Sequence, residues 1–441
     1  MARPTVKAVF LRQRKYGIDW PGARYDIEGH IQKYTKKLLK MGEELGVQIR
    51  CGEPFYDEND IKKLEDEERK NPSDGIVALV LGMRTWPLAD KIAGMGRPTV
   101  VFSPIFCFTK HIKDLSLRKG VYLISSLDFN SVKYGIKMIK AAWQLQATRV
   151  VTLRGEEPSS EDEIIPLLRT RVRTLPRIRF VDEFKKVGET EEVIAIAEEY
   201  IKNAKEVVEP SRGDVVEAAK TYVASKNILS EENGDAITLD CLGLIGAGLL
   251  PTTPCLGFSR LNDEGIPAGC EADMDSLLTM LILRYLFDKP SFIGDPTVDT
   301  VKNTWINSHC TSATMLAGIG GSREPFSLRR YGHLDLGVSP QVFWREGQEV
   351  TLAKFQSPGE MVIGSGKVLG NIDTPPSYMC ITSVEVKVDG VEDVRDVERD
   401  VKALHVLLMY GNKTKELEAF CQLIGIKSIP IGARSLPQPE A

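Results

Sequence analysis

TVKAVFL (5–11), DIEGHIQKYTKKLLKMGEEL (26–45) and GVQIRC (46–51) follow one another near the start of the chain, and together they decide its fold. The first and third are short and rich in apolar and β-branched residues, the composition of buried strands. Between them, Ile27, Ile31, Tyr34, Leu38, Leu39 and Met41 recur at helical spacing. A strand, a helix and a strand in that order make a parallel pair joined by a crossover. The same alternation extends outward. GIVALVLG (75–82), RPTVVFS (97–103) and VYLISS (121–126) predict further strands, and a helix is predicted over 130–146. TRVVTLRG (148–155) then opens a second unit of the same kind. The expectation is a pair of Rossmann-like α/β domains with parallel sheets covered on both faces. No G-x-G-x-x-G follows the first strand, so the dinucleotide fingerprint is missing.

Further along, EEPSSEDE (156–163) has the polarity of an exposed loop, and acidic helices are predicted over 189–207 and 212–225. DAITLDCLGLIGAGLL (235–250) enters a long apolar region with Gly and Pro. From about residue 345 the character changes. QEVTLAKF, GEMVIGSGKVLG, MCITSVEVKV and ALHVLLMY are strand-like and separated by Gly, Pro and Asp turns, which predicts a β-rich, barrel-like or sandwich domain. At 441 residues the chain exceeds what one hydrophobic core holds together. The expected division is 1–147, an N-terminal α/β domain; 148–295, a central α/β domain; and 296–441, a β-rich domain with a closing helix.

Composition excludes several classes. Hydrophobic residues are 42% and charged residues 27%, ordinary for a folded protein. A net charge of −4 supplies no basic field for phosphate neutralisation, so nucleic acid is not an expected partner. The eight cysteines form no C-x-x-C pair, and most sit in apolar runs. That opposes a zinc ribbon or a disulfide framework and favours buried free thiols in a reducing compartment. The opening apolar stretch is too short for a signal-peptide core, and no run approaches the roughly 18 apolar residues of a membrane span. A soluble, cytoplasmic protein without a membrane partner is expected.

Chemistry concentrates in RLNDEGIPAGCEADMDSLLTMLILRYL (260–286), where Asp263, Glu264, Glu271, Asp273 and Asp275 fall within 13 residues. Asp273 and Asp275 stand where acidic residues cap a helix, and capping alone explains them as well as a site does. Glu271 follows small residues that let the backbone approach something closely, which suits a metal ligand or a base. Asp295 lies 295 − 271 = 24 residues further on. One helix out and a short strand back returns it to Glu271, although Asp-Pro is also an ordinary turn starter. Of the five histidines, His309 (WINSHCTS), His333 (RRYGHLDLG) and His405 (VKALHVLLMYG) lie in the last third. A lone histidine in an apolar strand, such as His405, is commonly a core residue. Two carboxylates with an imidazole also form a mostly oxygen donor set, which suits Mn²⁺, Mg²⁺ or Co²⁺ better than structural zinc.

PCLGFSRLNDEGIPAGCEADMDSLLTMLILRYL (254–286), PSFIGD (290–295) and NSHC (307–310) together resemble the metal-site region of the L-fucose isomerase and L-arabinose isomerase superfamily. GQEVTLAKF (347–355) and HVLLMYGNKTKELEAFCQLIGI (405–426) resemble its C-terminal β-domain and closing helix. The resemblance implies Glu271 and Asp295 as metal ligands that also act as acid and base, and His405 as the third ligand. His309 occupies the place of a further histidine ligand of the arabinose isomerases. Those enzymes carry a glutamate just before the aspartate of FIGD, where this chain has Gly294. The set is therefore closer to the fucose type, with His309 left as a supporting or substrate contact. His333 and Trp86 (GMRTWPLAD) are further substrate-contact candidates. Trp86 is placed either to stack on a sugar from a neighbouring subunit or to anchor its own loop.

What this implies is an aldose–ketose isomerase that needs a divalent ion, Mn²⁺ first with Mg²⁺ or Co²⁺ as substitutes. It would act on a free sugar through an enediol and assemble as a homo-trimer or homo-hexamer. A metal-dependent sugar epimerase or lyase would use the same residues. A sugar-binding protein without catalysis is the alternative from another class.

Overall fold

The computed structural model describes residues 3–16, 20–104, 110–331, 335–372, 380–401 and 404–432. They form two compact units, one of residues 1–144 with 418–427, the other of residues 145–417 with the chain from 428 onward.

The first unit is a five-stranded parallel sheet. Its strands are β1 (Thr5–Leu11), β2 (Gln48–Cys51), β3 (Gly75–Val80), β4 (Thr99–Ser103) and β5 (Val121–Ser125), in the order β2-β1-β3-β4-β5. Every residue of β3 is buried, as a central parallel strand covered on both faces requires. The predicted first helix is Ile27–Leu45. Asp26 caps it by accepting from the Gly29 N–H at 2.9 Å, and Gly46 ends it in the left-handed region at φ 67°. The helix predicted over 130–146 is Ser131–Ala147.

The second unit holds the other parallel sheet and the β-rich region together. Strands β6 (Arg149–Leu153), β7 (Glu163–Ile164), β8 (Arg171–Leu175), β9 (Ala236–Leu239) and β10 (Ala268–Cys270) take the order β10-β9-β6-β8-β7, with only β7 antiparallel. Next come β11 (Phe292–Asp299) and β12 (Thr304–His309), then a hairpin of β13 (Phe326–Tyr331) and β14 (Leu336–Val342). β15 (Glu349–Gln356), β16 (Glu360–Asn371), β17 (Thr382–Val388), β18 (Val406–Tyr410) and β19 (Lys427–Pro430) complete the series. Six of these close on themselves in the order β15-β18-β11-β12-β17-β16, each pair antiparallel, with β19 added beside β16. Closure removes the open edges an antiparallel sheet would otherwise expose. The β-rich region is thus a barrel, and its first strand starts at Phe292, so the boundary expected at 295/296 falls inside β11.

The helix Met274–Phe287 is apolar on all sides, and nine of its side chains, Leu277 to Leu283 among them, are buried. A helix apolar all round belongs in an interior. This one packs against β9 and β10 of the parallel sheet and against β15 and β18 of the barrel. Its N-terminus is therefore held where the two sheets meet. Among the described residues, no helix is long and apolar enough to cross a membrane.

One buried charge fastens the outer layer of this unit. Glu183, 4% exposed on the helix Ile178–Lys186, accepts from Arg179 at 3.0 Å, Lys186 at 3.1 Å and Asn227 at 2.9 Å. Burial works against its charge, but these three donors prevail and hold the carboxyl down at about 2. A depressed carboxyl stabilises the fold above its unfolded value of about 4.3, and the contribution disappears as pH falls through the folded value. Glu183→Gln should therefore cost about 1–3 kcal/mol at pH 7. Thermal melts of both proteins from pH 7 down to pH 2 should show the gap shrinking below about pH 4.3. A gap independent of pH would contradict this account.

Candidate metal centre

Glu271 stands just past β10, and it and Ala272 both take left-handed backbone, at φ 60° and 53°. Each such residue costs roughly 1–2 kcal/mol for an L-amino acid. Together they turn the chain sharply from β10 into the helix that Asp273 caps, and they leave the Glu271 carboxylate projecting at the turn. The remaining side chains come from the barrel. Asp295 is on β11, His309 ends β12, His405 directly precedes β18, and Lys354 is on β15. The order β15-β18-β11-β12 makes these four consecutive strands, and the pairing of Gly294 with Val406 brings Asp295 level with His405.

His405 is fully buried, and its two nitrogens have different surroundings. Nδ1 lies 2.8 Å from Asp273 Oδ2. A carboxylate only accepts, so Nδ1 carries a proton, and in the neutral ring Nε2 presents its lone pair. Nε2 has no hydrogen-bond partner among the described residues, and it faces Asp295 Oδ1 at 3.4 Å and Glu271 Oε2 at 3.6 Å. A buried lone pair opposite two carboxylates is poorly placed unless a cation lies between them. A carboxylate behind the far nitrogen is also the usual support of a metal-bound histidine.

Asp273 is held firmly in that supporting position. Its Oδ1 accepts from the Ser276 N–H at 2.9 Å, capping the helix. Its Oδ2 accepts from the Ser276 hydroxyl and from Lys354 Nζ, each at 2.7 Å, besides His405. Burial opposes the charge, but His405 and Lys354 overcome it and keep this carboxyl well below the usual range. Lys354 is itself 3% exposed and bonded to both Asp273 and Ser276. Burial pulls its ammonium below the usual range, and Asp273 opposes the loss of that proton.

His309 differs from His405. Glu271, His309 and His405 each bring one donor atom within 4.8 Å of the others, a spacing that suits one ion. Yet His309 Nδ1 accepts the Thr311 backbone N–H at 3.2 Å. The proton of the neutral ring is then on Nε2, which faces Glu271 Oε1 at 3.6 Å as a donor and offers no lone pair to a cation. Burial opposes a charge on this ring, and Glu271, Cys380 and Asp295 outweigh it, pushing the ring up to about 9. A second proton would have to sit on Nδ1 and displace the Thr311 N–H, and in either protonation state Nε2 keeps its hydrogen toward Glu271. In return, the His309 contact holds Glu271 below the usual carboxylate range.

Gly294 bears on the donor set as well. A Cβ there would come within 2.3 Å of Asn307 Nδ2, which is buried and donates to the Val406 carbonyl at 3.2 Å. A glutamate at 294, as in the arabinose-type arrangement, does not fit this wall. The donor atoms that lie within 4.8 Å of one another are those of Glu271, His309 and His405, and Asp295 Oδ1 stands 3.4 Å from His405 Nε2 beside them.

The expected residues Glu271, Asp295, His405 and His309 are thus brought together. Trp86 is not among them. Its indole is 1% exposed in the core of the first unit, packed in one cluster with Leu11, Ile76 and Ile92, so it anchors its segment and has no face for a sugar or a neighbouring subunit. His333 lies outside the described residues. Lys354 was not singled out in the sequence, although a lysine within the apolar run TLAKF was the available signal. Asp273 was weighed there equally as a cap and as a site residue, and it is both the cap and the partner of His405.

Compared with known proteins, the chain matches no family model and no curated protein.

The two histidines should respond differently to substitution. His405→Ala should weaken Mn²⁺ binding by at least about 100-fold, while His309→Ala should change it by less than about tenfold. Calorimetric titration of the chelator-stripped protein checks both. Equal losses in the two variants would place His309 among the ligands.

Proposed function

We propose that this protein is a metal-dependent aldose–ketose isomerase acting on free sugars. The observation that supports this reading best is the convergence of two carboxylates, Glu271 and Asp295, on the unpaired Nε2 of one buried histidine. Glu271, Asp295 and His405 would hold the ion. When bound, a divalent ion polarises a carbonyl and stabilises negative charge on adjacent oxygens.

Interconverting an aldose and a ketose moves a proton between C1 and C2, with an enediol between them. The chain's own contribution is a pair of carboxylates of unequal exposure. The Glu271 side chain is 23% exposed and the Asp295 side chain 46%. Either can take a carbon-bound proton from its own side of a sugar while the other services the oxygens. His309, with its proton on Nε2, is a donor to a sugar oxygen beside Glu271. Asp273, itself held by Lys354, fixes the tautomer of His405. No Gly-rich loop joined to a lysine accompanies the site, which favours unphosphorylated substrates. In this reading the protein assembles as a homo-trimer or homo-hexamer, supported by the family resemblance.

The test is a Mn²⁺-supplemented panel of free aldoses and ketoses with products separated by chromatography. An aldose–ketose pair at equilibrium is the expected result; an epimer or a cleaved product would favour the epimerase or lyase reading. With the active sugar, Glu271→Gln and Asp295→Asn should each lower kcat by at least about 100-fold. Reaction in D₂O should place deuterium on the carbon that receives the proton. Near-normal turnover in both variants, with the ion still bound, would overturn the two-carboxylate mechanism.

A further inference from the structure

Five of the seven cysteines among the described residues, Cys241, Cys255, Cys270, Cys310 and Cys380, form one chain of neighbouring thiols. We propose that three of them, Cys255, Cys310 and Cys380, form an oxidative modification site that reduces a hydroperoxide and closes a Cys255–Cys310 disulfide next to His309. This inference is independent of the sugar reaction.

The sulfurs of Cys255 and Cys310 lie 3.4 Å apart, in contact but unbonded. A disulfide needs about 2.05 Å, so roughly 1.4 Å of approach closes it, within the reach of small side-chain rotations. Both thiols are sheltered, at 3% and 8% exposed. Cys380 also interacts with Cys310 and is partly exposed. The three sulfurs therefore lead from the surface inward.

In the first step the Cys380 thiolate attacks one peroxide oxygen. The O–O bond breaks, Cys380 becomes a sulfenic acid, and the other oxygen leaves as water or alcohol after protonation. The Cys310 sulfur then attacks the Cys380 sulfur, forming a disulfide, and its thiol proton passes to the sulfenic oxygen, which leaves as water. Finally the Cys255 thiolate attacks the Cys310 sulfur, which breaks the Cys310–Cys380 bond and restores the Cys380 thiolate. With hydrogen peroxide, two thiols and one peroxide give one disulfide and two waters.

The location gives the modification a consequence. Cys310 directly follows His309, and the next residue, Thr311, supplies the N–H that holds His309 Nδ1. The Thr311 hydroxyl lies 3.0 Å from the sulfur of Cys270, the residue before Glu271. Drawing Cys310 toward Cys255 turns this segment and shifts the ring that faces Glu271.

The test uses the full chain treated with hydrogen peroxide, alkylated under denaturing conditions and digested without reductant for mass spectrometry. The expected result is loss of two of the eight thiols, a linked peptide pair containing Cys255 and Cys310, and full reversal by dithiothreitol. Cys380→Ser should slow the link at least about tenfold, while Cys51→Ser should leave its rate unchanged. Absence of the Cys255–Cys310 pair from the wild-type digest overturns the site, whichever other cysteines are oxidised. A wild-type rate in Cys380→Ser overturns the relay.

Discussion

One carboxylate, that of Asp273, holds the candidate centre in register. It caps the buried helix Met274–Phe287, neutralises the buried Lys354 on β15, and fixes the proton of His405 in front of β18. Those partners belong to a helix on the parallel sheet and to two adjacent strands of the barrel. An uncompensated ammonium on Lys354 would be costly in that interior, and so would an uncompensated Asp273. Each makes the other tolerable, and the pair ties sheet to barrel at the point where Glu271 emerges. The left-handed turn at Glu271 and Ala272 is maintained by the same cap, since the helix must begin immediately after it.

Where local rules govern, the fold was legible in the sequence. The strand at 5–11 and the helix starting beside Asp26 follow from alternation, helical periodicity and capping chemistry. The barrel was legible only as a β-rich region, because closure depends on pairing β15 with both β16 and β18 across long stretches of chain. Its start was misplaced because FIGDPTVD carries an Asp-Pro that looks like a turn, and here it continues a strand into the pairing with β12.

The cluster was legible by residue type and spacing, since Glu271, Asp295, His309 and His405 were all named in the sequence and the structure brings them together. The family resemblance had already set His405 apart as a ligand and His309 as a support, but the residues alone did not show the proton placement behind that division. Which nitrogen carries the proton depends on partners 132 residues away for His405 and two residues away for His309. No periodicity or composition reports that. Trp86 shows the opposite limit: a tryptophan in a loop-like sequence looks available, and only packing reveals a ring enclosed on all sides.

The contact between Gly294 and Asn307 limits how a barrel of this kind changes its donor set over generations. A side chain at 294 collides with Asn307, and Asn307 cannot withdraw without surrendering its buried bond to the Val406 carbonyl. Adding a carboxylate at 294 alone therefore damages the wall before it supplies any new ligand. Trimming 307 alone removes a donor from the buried Val406 carbonyl. A side chain at 294 is therefore accommodated only where position 307 gives way to it.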